Sequence, residues 1–199
     1  MEQTVGPAPA TGARGPRRAW PIVVAVLVGM ALLAGGWPLI SSLLPDSETV
    51  PAGVGLRLGP DPEESALLPL AGDGWRISRS RSNPDQQYAL RHGAVGLEAS
   101  YVQLEQPADA DGLWDGLRKL GELSDSTFGP PAPARSARGL PSEEASVTED
   151  GLTGTVTVYV HPDRSYAIVL KELGRPDAPE ADRAAVREAV QGLTFEEPR

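Results

Sequence analysis

Cysteine is absent from all 199 residues. That excludes disulfides, thiolate zinc sites, iron–sulfur clusters and lipid attachment at cysteine. Histidine occurs only as His92 and His161, leaving little material for metal binding or general-base chemistry. Aromatic residues make up only 5%, and no Gly-x-Ser-x-Gly elbow occurs anywhere, so a nucleophilic hydrolase has no motif to stand on. Lysine is nearly missing, with 2 against 16 arginines. The longest absence is of charge: the 27 residues from Ala19 to Pro45 carry none.

Within that run, Ile22 to Ala34 is almost wholly aliphatic. About 20 such residues at a rise of roughly 1.5 Å cross a hydrocarbon core of about 30 Å, which predicts a transmembrane helix over 19–44. A helix satisfies its own backbone polar groups, which lipid cannot do. Trp20 and Trp37 bracket the run at the expected membrane interfaces. A cleaved signal peptide is the rival reading, and either one exports the remainder. Residues 1–18, rich in Gly, Ala and Pro, are expected to be a disordered tail. They hold Arg14, Arg17 and Arg18 against Glu2, whereas Asp46 and Glu48 open the far side. Positive residues stay inside, so the expectation is a cytoplasmic-membrane protein with its N-terminus in the cytoplasm and its C-terminal domain outside.

Setting that tail aside leaves 15 basic and 26 acidic residues, a net of −11. Such a surface does not bind nucleic acid by bulk charge. The stretch 45–53 reads as a tether, and 54–196 as one extracytoplasmic domain. Alternation predicts strands at Trp75–Arg79, Gln87–Arg91 and Ala94–Leu104. It also predicts a hairpin, Thr155–Val160 and Tyr166–Leu170, turned by His161-Pro162-Asp163-Arg164 and joined by Ala145–Thr148 across Asp150-Gly151.

A helix is expected over Asp109–Gly121, with Leu113, Trp114, Leu117 and Leu120 on its buried face. A second is expected over Ala178–Gly192, capped by Asp177 and Glu180, with Ala185, Val186, Ala189, Val190 and Leu193 in the core. The Pro-rich stretch 129–141 reads as a surface loop. Strands, helix, strands, helix imply an α+β class: an antiparallel sheet with two packed helices.

An anchor followed by Gly74-Trp75-Arg76, a strand pair, Tyr101-Val102-Gln103-Leu104-Glu105-Gln106 and a helix is similar to uncharacterised single-pass actinobacterial membrane proteins. Their outer domain belongs to a family of unknown function. In element order the outer domain also resembles the PsbP-like α/β/α sandwich, best in its valine-rich hairpin and in the closing helix with Leu193-Thr194-Phe195. The resemblance covers about 66–196 and implies no catalytic residue. Arginine over lysine, with abundant Ala, Gly and Pro, agrees with a high-GC source.

Candidate chemistry is sparse. Asp109-Ala-Asp111-Gly112 resembles the start of a calcium loop, but such a loop needs Gly at position six and Glu at twelve. His161 and His92 read as exposed turn residues, Glu143-Glu144 and Glu149-Asp150 as solvated loop ends, and Trp75 and Trp114 as core anchors. No metal, cofactor or catalytic set is expected. Arg76, Arg79 and Arg81, with Arg91 on the neighbouring strand, match phosphate or carboxylate groups, or else guard a solvated strand edge. The expected function is a non-catalytic binding or interaction module for a protein or envelope partner. The alternative is a domain binding a small anion or an envelope polymer through the Arg76/Arg79/Arg81 strand.

Overall fold

Antiparallel strands dominate the fold, and segments such as Val95–Tyr101 form them because their residues alternate between the buried and the less buried side at period two. The computed structural model describes residues 46–104, 110–163 and 165–196. The expected tail and membrane span, with Trp20 and Trp37, lie outside the described residues. Among the described residues no helix is long and apolar enough to cross a membrane.

From Asp46 on the chain is one compact unit. It opens with β1 (Ser47–Thr49), β2 (Gly55–Leu58), a 3₁₀ turn (Pro62–Glu64), β3 (Ala66–Pro69) and β4 (Trp75–Ser78). Next come β5 (Gln87–His92), β6 (Val95–Gln103), α1 (Ala110–Leu123), β7 (Thr127–Phe128) and β8 (Ala132–Arg135). The chain continues with β9 (Pro141–Glu149), β10 (Leu152–Val160), β11 (Tyr166–Gly174), α2 (Glu180–Gln191) and β12 (Thr194–Phe195). Nine strands form one sheet along the path β1-β4-β5-β6-β11-β10-β9-β7, with β8 also on β9, and β12-β3-β2 form a small second sheet.

The large sheet buries both faces, but not to the same extent. On one face Trp75, Leu90, Leu97, Tyr166 and Ile168 meet the small sheet and Val186, Ala189 and Val190 of α2. On the other, Val147, Val156, Val158 and Val169 meet Trp114 of α1. That second cluster draws on β9, β10 and β11 and on no residue of β4 or β5. Asp150 (φ 49°) and Gly151 (φ 75°) form the two-residue turn from β9 to β10. Left-handed conformation at both positions matches the twist of a tight hairpin.

Several expectations are corrected. The tether is part of the sheet: β1 pairs with β4 through Glu48↔Ile77, and Val50 is buried. The loop at 129–141 contains β8, paired Pro133↔Glu143 on the rim of β9. Proline lacks a donor and survives in a strand only at such an edge. Leu120 is 64% exposed and leaves the stripe of α1. No capping box forms on α2, whose N-cap is Pro179 without a side-chain bond.

Candidate functional site

The sheet parity decides where the arginines go. Side chains alternate faces along a strand, so Arg76 and Arg79, three apart, point to opposite sides. Arg79 sits on the Ile77 side, 2.7 Å from Glu48. Arg76 faces the other way, and its strand partner is Arg91 on β5. This is the face that α1 covers over β9 to β11. Over β4, β5 and β6 it is open, and a groove of about 780 Å³ runs there.

Arg76, Arg81, Arg91 and Arg175 line the groove together with Lys171. Its floor is low because Ala89 and Gly96 carry little or no side chain. The carboxylates present are already engaged. Asp46 accepts from Ser78 Oγ at 2.6 Å and from the Ser80 amide at 3.1 Å. Those bonds hold its carboxyl below the usual range. Glu98 pairs with Arg81 and, at 3.0 Å, with Lys171. Lys171 also reaches Glu149 at 3.0 Å. Burial works against the Lys171 ammonium, yet the bonds to Glu98 and Glu149 outweigh it and raise its pKa. Burial likewise works against the Glu149 carboxylate, but hydrogen bonds from Ser126 and Lys171 outweigh it and lower its pKa.

Three of the groove's five cations have no acidic partner among the described residues. Arg76 bonds only the neutral Ser47 Oγ, at 2.6 Å. Arg91 and Arg175, both exposed, make no side-chain hydrogen bond or ion pair. Like charges directly opposite on a sheet repel, so the Arg76–Arg91 pair is by itself destabilising. An anion between the two guanidinium groups reverses that sign.

The structure therefore brings Arg76, Arg81 and Arg91 together and leaves Arg79 out. Lys171 and Arg175 were missed. Their signal lies in the parity of β11: Val169, Lys171 and Leu173 share a face, and Arg175 continues it.

The remaining candidates resolve differently from expectation. His161 is not an exposed turn residue. It stacks on Tyr166 at 4.6 Å and meets the edge of Phe195 at 4.9 Å. Its Nδ1 lies 2.5 Å from Asp163, whose carboxylate also accepts from Ser165 Oγ at 2.6 Å. Those bonds, from Ser165 first and His161 second, hold Asp163 down at about 2. The serine is on the carboxylate, not on the imidazole, which is the wrong order for a nucleophile. His92 is likewise enclosed, edge-on to Trp75 at 5.2 Å and 3.3 Å from Asp182. Glu143, expected in a loop, lies on β9 and accepts from Trp114 Nε1 at 2.6 Å. Trp75 and Trp114 are core residues, as expected, at 0% and 1% exposure. Among the described residues no group of three or more His, Asp or Glu is placed to hold a metal ion.

The architecture, a large antiparallel sheet with helices on its two faces, is the PsbP-like α+β sandwich. The chain is similar to the solution structure of cyanobacterial PsbP (CyanoP) from Synechocystis sp. PCC 6803, with a TM-score of 0.50 and 10% identity. The match covers 73% of this chain and 95% of that one. At that identity the likeness is one of fold. No protein-family model matches the chain, and no curated protein matches it in sequence.

Proposed function

We propose that the chain is a membrane-anchored, extracytoplasmic binding module that works without catalysis, and that its binding face is the open groove on β4, β5 and β6. The uncharged run 19–44 and the arginines ahead of it support the anchor and its orientation. The arrangement of Ser165 on Asp163, away from His161, supports a non-catalytic role. The excess of arginine over lysine supports an actinobacterial envelope as the setting. The observation that carries the reading is the Arg76–Arg91 pair, facing itself across two strands with no carboxylate bonded to either guanidinium among the described residues.

The ligand class follows from the donors. Planar forks favour phosphate or carboxylate oxygens, and the groove recruits Arg91 and Arg175 in place of Arg79. The test is thermal unfolding of the full chain in detergent with inorganic phosphate, pyrophosphate and citrate. The reading expects at least one anion to raise Tm in the native chain and not in Arg76→Gln/Arg91→Gln. No shift across the panel overturns it.

A further inference from the structure

We infer that the ligand of the groove is an organic anion: a phosphate or carboxylate carried on a compact, uncharged apolar body about the size of one ring, which lies on the backbone at Gly96. The inference rests on the anion-binding reading above and names the ligand class of the same groove. Charge places only one end of such a ligand; the floor and the far wall select the rest.

Gly96 sits in the interior of β6, in one row across the sheet with Arg91 of β5 and Leu173 of β11. Glycine loses more conformational freedom on folding than any other residue, and inside a strand it marks a bulge, a bend or a close approach. The fold itself asks for none of these here. The φ of Gly96 is outside the left-handed region, and its register with both neighbouring strands runs without interruption. An added Cβ would make only ordinary contacts, 3.7 Å to the Leu173 carbonyl oxygen and 3.9 Å to that of Leu90. Gly154, two strands away in the same row, differs, because a Cβ there would collide with the Glu172 carbonyl oxygen. What Gly96 leaves open is the groove.

The gap above Gly96 is charged on one side only. Directly opposite residues on neighbouring strands stand about 5 Å apart, so the Arg91 guanidinium arm flanks the gap on one side and the Leu173 side chain on the other. Leu152 extends the apolar side along the groove, and both leucines are half-buried. A molecule held there meets a cation at one end and hydrocarbon at the other.

Size points the same way. At about 780 Å³ the groove falls in the range of roughly 300–1,000 Å³ that holds drug-sized ligands, far beyond what a bare oxyanion fills. With Arg76 and Arg91 on the anionic group, the remaining room lies over the small residues Gly96, Ala89 and Ala94.

The full chain in detergent is titrated calorimetrically with methyl phosphate and with phenyl phosphate, which share the anionic group and differ in the body. The inference expects phenyl phosphate to bind at least about tenfold more tightly, the order expected when ~60 Å² of apolar surface leaves water. Gly96→Val fills the gap and removes the preference, and Gly96→Ala, a smaller filling without a clash, reduces it. Arg76→Gln/Arg91→Gln binds neither ester. Equal affinity of the native chain for the two esters overturns the inference while leaving anion binding standing. So does a preference undiminished in both Gly96 variants. A preference that persists in Arg76→Gln/Arg91→Gln puts the ring outside the groove and overturns it too. If neither ester binds the native chain, the anion-binding reading fails and the inference falls with it.

Discussion

Arg76 and Arg91 stand opposite each other on β4 and β5, two guanidinium groups on one face of the sheet with no carboxylate paired to either among the described residues. A protein selected for stability alone would place opposite charges there. Arg91→Glu should therefore raise stability by about 0.2–1 kcal/mol, the usual worth of a cross-strand pair. The same change should abolish the response to anions. Urea unfolding of native and variant chains, with and without phosphate, reads both effects, and a stability loss on Arg91→Glu contradicts the assignment.

Lys171 bridges Glu98 and Glu149, and this sets a pH window. Glu149 has a folded pKa below its ordinary 4.5, so its contribution is present above pH 4.5 and is lost as pH falls through the folded value. Lys171 has a folded pKa above its ordinary 10.5, so its contribution is complete below that and fades only at higher pH. Unfolding midpoints should fall on acidification below about pH 4.5, with a shallower slope in Lys171→Met. An unchanged slope in that variant means that other carboxylates govern the acid limb.

Helix α1 offers a paired test. Trp114 is 1% exposed and donates to Glu143, whereas Leu120 is 64% exposed. Trp114→Ala should cost about 3–5 kcal/mol, and Leu120→Gln less than about 0.5 kcal/mol. Chemical denaturation of both variants fixes which side of the helix faces the sheet.

Gly154 lies in the interior of β10, where a Cβ would collide with the Glu172 carbonyl oxygen. Gly154→Ala should cost at least about 1–3 kcal/mol, since backbone must move to admit the methyl. Gly151→Asn, in the turn at φ 75°, should be nearly silent because Asn tolerates that conformation. Equal losses at the two positions would contradict the register of β10.

Much of this was legible in the chain. Val156 and Val158 announced a buried strand, and Asp150-Gly151 announced the turn before it. What escaped depends on distant partners. Ala66–Pro69 is a strand because Leu67 pairs with Thr194 and with Arg57, which no local pattern reveals. Ala132–Arg135 hides among prolines that suit only an edge. Arg79 was separable from Arg76 by parity alone, but Arg91 and Arg175 join Arg76 only through the registers of β4 with β5 and of β6 with β11. His161 looked exposed because its turn is local, whereas Phe195 arrives from the end of the chain to cover it.

The central claim is that residues from Asp46 onward stand outside the cytoplasmic membrane. A chain without cysteine makes the direct measurement clean. Asp177→Cys, in an exposed turn before α2, and Ala10→Cys, ahead of the proposed span, are treated in intact cells with a membrane-impermeant maleimide. The account predicts labelling at 177 in intact cells, and at 10 only after permeabilisation. Labelling at 10 in intact cells, with 177 protected until lysis, would contradict it.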